Sequence, residues 1–126
     1  MSAKYPLKLL LAEDNLMNQE VLSSILDALG YKVDIVNNGL EAVDAASTHN
    51  YDVIFMDVHM PTMDGLEASQ RILKKLNPAP QIIAMTADIF PENLQKFQEK
   101  GIIDTVFKPV EIPDLIKALK RCYGRL

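Results

Sequence analysis

Three uninterrupted apolar runs, Leu9-Leu10-Leu11-Ala12, Val53-Ile54-Phe55-Met56 and Ile82-Ile83-Ala84-Met85, constrain this chain more than any other feature. A strand with one wet face alternates apolar and polar residues, whereas a strand covered on both faces stays apolar throughout. The three runs therefore read as inner strands of a sheet. Val33-Asp34-Ile35-Val36 and Thr105-Val106-Phe107 are more mixed and read as its edges.

Helical patterns fill the intervals. Val21, Leu22, Ile25, Leu26 and Leu29 form a stripe that Gly30 ends. Ile112, Leu115, Ile116, Leu119, Cys122 and Tyr123 share one face, with Pro113 near the start and Gly124 past the end. Weaker helices are expected from Gly39 to about Asn50, from Leu66 to about Leu76, and from Pro91 to about Lys100 with Leu94 and Phe97 inward. Asn77 to Pro80 reads as a loop. Five strands alternating with five helices predict βαβ units, hence an α/β fold with a doubly wound parallel sheet.

Composition adds bounds. The 126 residues suit a single domain, 1–126, and 48% hydrophobic content is that of an ordinary globular chain. The one cysteine, Cys122, cannot form an internal disulfide and reads as a small buried apolar residue. The N-terminal apolar run is too short to span a membrane and has no small-residue cleavage site, so a cytoplasmic location is expected. A net charge of -4, no basic run and no tryptophan argue against binding nucleic acid.

In an open parallel sheet, ligands bind at the carboxyl ends of the strands, where the strand order reverses. The strand ends here carry Glu13-Asp14-Asn15, Asp57, Thr86 and Lys108-Pro109, in chain order; the second strand offers only Asn37-Asn38-Gly39. Three carboxylates in one small site call for a cation. All-oxygen ligation with room for water suits Mg²⁺. The plainer reading is that Glu13, Asp14 and Asn15 cap a helix, that Lys108 is a solvated lysine and that Thr86 merely ends a strand. Each holds up singly. Their joint occurrence at successive strand ends points instead to a carboxylate that accepts a phosphoryl group, giving an aspartyl phosphate.

The chain resembles the receiver domains of two-component response regulators from Leu7 to about Tyr123. The resemblance rests on Leu10-Leu11-Ala12-Glu13-Asp14-Asn15, Met56-Asp57-Val58-His59-Met60-Pro61-Thr62-Met63-Asp64-Gly65, Met85-Thr86-Ala87 and Phe107-Lys108-Pro109-Val110. It implies a flavodoxin-like (βα)5 fold of strand order 2-1-3-4-5. It also implies transfer of a phosphoryl group from a partner's phosphohistidine to Asp57, followed by a change of conformation. Glu13, Asp14, Asp57 and the backbone carbonyl of His59 would hold Mg²⁺. Lys108 would pair with the phosphoryl oxygens, Thr86 would move to hydrogen-bond one of them, and the Lys108–Pro109 bond would be cis. Such a domain is a signalling acceptor rather than an enzyme, with slow autodephosphorylation and a capacity for self-association on phosphorylation.

Glu13 to Gln19 is similar to the version found in receivers of hybrid sensor kinases. This implies a phosphorelay whose partners are a histidine kinase, a histidine phosphotransfer domain or both, and a parent that could be a membrane-anchored histidine kinase. Met17 and Val110 would form part of the docking surface, against the alternative that Met17 packs in the core.

Three positions depart from the family. Thr105 stands where an aromatic is usual, three residues before Lys108; Phe107 shares its side of the strand by alternation and reads as core. His59 and Asp88 flank the site and are candidate modulators of hydrolysis. Competing functions fare worse on the sequence. An Asp-based small-molecule phosphohydrolase would want a cap over its substrate, and a flavin carrier a Ser/Thr/Gly-rich first loop. A phosphorylation-incompetent interaction module would not need the intact acidic site.

Overall fold

The computed structural model describes residues 5–87 and 90–126. Along the chain run β1 (Leu9–Ala12), α1 (Leu16–Ala28), β2 (Val33–Val36), α2 (Gly39–Thr48), β3 (Val53–Asp57), α3 (Gly65–Lys75), β4 (Gln81–Thr86), α4 (Pro91–Glu99), β5 (Asp104–Phe107) and α5 (Ile112–Gly124). The five strands form one parallel sheet in the order β2-β1-β3-β4-β5. This is the doubly wound, flavodoxin-like architecture expected from the apolar runs and the resemblance.

The three continuous runs split by alternation between two cores. Leu10, Ala12, Ile54, Met56, Ile82 and Ala84 pack with Ala42, Ala46, Ala68, Ile72 and Phe97 from α2, α3 and α4. Leu9, Leu11, Val53, Phe55, Ile83 and Met85 pack with Leu22 and Leu26 of α1 and with Leu115, Ala118 and Leu119 of α5. A side chain such as Ile72, almost fully buried, stabilises the fold by about 1.5–3 kcal/mol.

The helix starts follow local chemistry. Asn15, Asn38 and Asp64 sit just before α1, α2 and α3, and each side chain accepts a hydrogen bond from the N–H three residues on. Gly30, with φ 94°, turns the chain after α1. Both Asn77–Pro78 and Lys108–Pro109 are cis.

Several side chains sit differently from the sequence pattern. Val21 of α1 and Ile112, Ile116 and Tyr123 of α5 are substantially exposed. The buried stripe of α5 is Leu115, Ala118, Leu119 and Cys122, narrower and rotated toward the alanine. Gly124 is the last residue of α5 rather than a stop beyond it. Phe107 is 39% exposed, not core. It lies on the outer edge of the sheet, where no further strand covers its flank. Met17 is 73% exposed, so it does not pack in the core. Among the described residues no helix is long and apolar enough to cross a membrane.

Cys122 has no solvent exposure, and burial pushes its thiol up to about 11. Since the thiolate is the reactive form, the native protein at pH 8 is expected to react with a thiol reagent no faster than it unfolds. Stopped-flow labelling with and without denaturant checks this; complete native-state labelling within seconds would contradict the burial.

Candidate functional site

Strand register sets the level of the site. Ala12 pairs with Met56 and Asp57 with Met85, so the residues leaving β1, β3 and β4 emerge side by side. Thr86 pairs with Phe107, which brings Lys108 alongside from β5. The Lys108 N–H donates to the Thr86 carbonyl at 2.8 Å, tying the two loops together.

Glu13 and Asp57 are buried at 1% and 3% exposure, while Asp14 faces solvent. Glu13, Asp14 and Asp57 each offer a carboxylate oxygen within 4.8 Å of the others. The Lys108 ammonium lies between the two buried acids, 3.0 Å from Asp57 Oδ2 and 3.2 Å from Glu13 Oε1. Burial by itself would depress this ammonium, but hydrogen bonds and charge attraction from Asp57 and Glu13 outweigh it and hold the group above its ordinary value.

The remaining contacts on the acids come from backbone and amides. Asp57 Oδ1 accepts the His59 N–H at 3.1 Å. Glu13 Oε2 accepts the Asn15 N–H at 3.1 Å, and Glu13 Oε1 the Asn18 side-chain amide at 3.4 Å. Asn15, read from the sequence as a helix cap, does cap α1, whereas Asn18 was not picked out as a contact of the acids. The only signal for Asn18 was its place in the first turn after the acids. Behind the loop, Gln19 Nε2 donates to the Glu13 carbonyl and to Asn37 Oδ1.

A close approach seals the floor. A Cβ at Gly65 would lie 2.1 Å from the Asp57 carbonyl oxygen, so only glycine lets α3 start there. Thr86 is buried at 2% exposure, and the His59 side chain is exposed at the rim. Asp88 lies outside the described residues. Asp64 stays apart from the acids as the cap of α3. At Lys108, a cavity of about 480 Å³ is lined by Met17, Val21, Pro109 and Val110 among others.

Comparison with known proteins fits this geometry. The family model described as response regulator receiver domain matches residues 9–120. The chain belongs to that family. This receiver is 40% identical to hybrid signal transduction histidine kinase H of Dictyostelium discoideum over 95% of its own length, yet spans only 9% of that protein. It is 36% identical to two-component response regulator 24 of Arabidopsis thaliana, covering 94% of this chain and 86% of that one. Among solved structures, the receiver domain of a sensor histidine kinase from Pseudomonas aeruginosa, which holds a magnesium ion in its active-site cleft, superposes with a TM-score of 0.85. The two are 34% identical, and the match covers 94% of this chain and 98% of that one. The molecule is thus a receiver domain of two-component and phosphorelay signalling.

Lys108 pairs with two acids that water barely reaches, so its loss leaves their charge uncompensated. With metal chelated, Lys108→Met is expected to destabilise the fold by roughly 3 kcal/mol, the low end for breaking a buried pair because the ammonium is part-exposed. The sign with pH follows from the raised pKa of Lys108. Its stabilisation is complete below the unfolded value of about 10.4 and is lost as pH rises through the folded one. Urea unfolding should therefore show a wild-type advantage that is level from pH 7 to pH 9 and shrinks above that unfolded value. An advantage independent of pH up to complete lysine deprotonation would rule out the ion pair as its source.

Proposed function

We propose that this receiver accepts a phosphoryl group on Asp57 from the phosphohistidine of a partner protein, with Mg²⁺ held by Glu13, Asp14, Asp57 and the His59 carbonyl. The observation that carries the reading is the convergence of three carboxylates within 4.8 Å around a strand-end ammonium. The donor set fits the ion, being all oxygen, in excess negative charge and open to water on the Asp14 side. When bound, Mg²⁺ neutralises charge shared by the carboxylates and the incoming phosphoryl oxygens.

The residues of the chain do the rest. A carboxylate oxygen of Asp57 attacks phosphorus, the phosphorus–nitrogen bond of the donor breaks, and the imidazole leaves with its electron pair. The His59 N–H on Oδ1 and the Lys108 ammonium on Oδ2 fix the rotation of the carboxylate. Lys108 then pairs with the phosphoryl oxygens. The Thr86 hydroxyl donates to one of them, and that new bond carries the change of conformation outward. The domain acts as an acceptor with slow autodephosphorylation rather than as a turnover enzyme.

The partner is a histidine kinase, a histidine phosphotransfer domain or both. The kinship with hybrid kinases supports this, as does the exposed apolar surface of Leu16, Met17 and Val21 beside the site. Residues 1–126 serve as one receiver domain working in the cytoplasm, whether alone or as part of a membrane-anchored hybrid kinase, and phosphorylation favours its self-association. Incubation with a small phosphodonor should give one acid-stable, base-labile adduct on Asp57 in the presence of Mg²⁺ and none with EDTA. Label retained in Asp57→Ala would refute the assignment.

His59 and Asp88 belong to the same proposal as modulators that close over the phosphoryl group and slow its hydrolysis. The decay of purified aspartyl phosphate is expected to quicken in His59→Ala and in Asp88→Ala, with little further change in the double variant, as for an interacting pair. Slower decay in His59→Ala would instead assign it to orienting water.

A further inference from the structure

Five polar side chains are buried among the described residues: Glu13, Gln19, Asp57, Ser69 and Thr86. Glu13, Asp57 and Thr86 belong to the acidic site, and Ser69 donates to the Gly65 carbonyl one turn back in its own helix. Gln19 is the exception. It occupies the buried stripe of α1 together with Leu22 and Leu26, a position that packing alone would fill with leucine.

The Gln19 amide spends its two N–H groups outside its own helix. One goes to the Glu13 carbonyl and the other to Asn37 Oδ1 at 2.7 Å. The direction of this network is fixed chemically. A carbonyl only accepts, so Gln19 Nε2 must face Glu13. Asn37 in turn donates from its backbone N–H at 2.9 Å and its Nδ2 at 3.3 Å to the Glu41 carboxylate, which leaves Asn37 Oδ1 to accept. The Glu13 N–H donates to the Val36 carbonyl at 3.1 Å. Glu13 is therefore held from both ends of its backbone, and the carbonyl that Gln19 grips belongs to the peptide joining Glu13 to Asp14. Rotating that peptide would swing the exposed Asp14 away from the other two acids.

We infer that Gln19 is a positioning residue: it locks the Glu13–Asp14 peptide against the β2–α2 loop, so that both carboxylates stand ready for the cation. The inference rests on the metal reading above. It deepens that reading by assigning part of the affinity to an amide that touches neither cation nor phosphoryl group. Partners that orient metal ligands typically account for about 10–100-fold in metal affinity.

Calorimetric titration of the whole chain with Mg²⁺ tests it, well below the melting transition of each variant. Gln19→Leu, which keeps bulk and removes both donors, is expected to weaken Mg²⁺ binding about 10-fold or more. Leu26→Val, which loosens the same helix farther along, should leave affinity at the wild-type value. Asn37→Ala cuts one arm at an exposed position and should give a smaller loss in the same direction. Wild-type affinity in Gln19→Leu overturns the inference. So does an equal loss in Leu26→Val, which would mean general softening of α1. If Gln19→Leu fails to fold, unchanged affinity in Asn37→Ala overturns it. A wild-type chain that takes up no Mg²⁺ would overturn the metal reading itself.

Discussion

Glu13 and Asp57 are both withdrawn from water, and the Lys108 ammonium between them makes that burial tolerable. A lone buried carboxylate costs several kcal/mol unless it is paired or hydrogen-bonded. Two side by side cost more, because they also repel. One ammonium, two backbone N–H groups and one amide meet that demand here. With Asp14 the cluster still holds one ammonium against three acids. Under the metal reading proposed above, that residual negative charge is what a divalent cation would offset.

The sheet exists, in functional terms, to deliver these groups to one level. With β3 beside β1 and β5 beyond β4, Lys108 reaches across the end of β4 to both acids. The same register makes tolerances small. Gly65 lets α3 begin against the Asp57 carbonyl, and Gly39 does the same for α2 against Met63, where a Cβ would lie 2.2 Å from the carbonyl oxygen. A side chain at Gly65 would push on the backbone of the acceptor itself, and one at Gly39 on the loop that follows it.

What could be read in the sequence was what packing on two faces imposes. Apolar runs with no polar break betrayed the inner strands, and chemistry-bearing residues at their ends betrayed the site, because each signal is local. Relations between elements were harder. Phe107 looked like core from alternation alone, yet edge position decides its exposure. The outward faces of α5 carry Ile112, Ile116 and Tyr123, which a stripe count assigns to the interior. Asn15 was legible as a cap, but Asn18 gained its meaning only once the start of α1 was known, since one turn of shift would aim it at solvent.

The two sides of the site are not equally braced. On the acid side, α1 is capped by Asn15, and the loop before it is bound through Asn18, Gln19 and Lys108. On the far side, α4 buries only Phe97 of its nine residues. Regions with few buried contacts open at the lowest free energy, and a switch has to be built from such regions. Under the function proposed above, a charge arriving on Asp57 would meet a braced wall of acids and amides on one side. On the other it would meet Thr86, at the end of the strand that leads toward the helix with the fewest buried side chains among the described residues. Under that reading the acid side holds the reactive geometry, and the room to respond lies at α4 rather than in the almost fully buried β4.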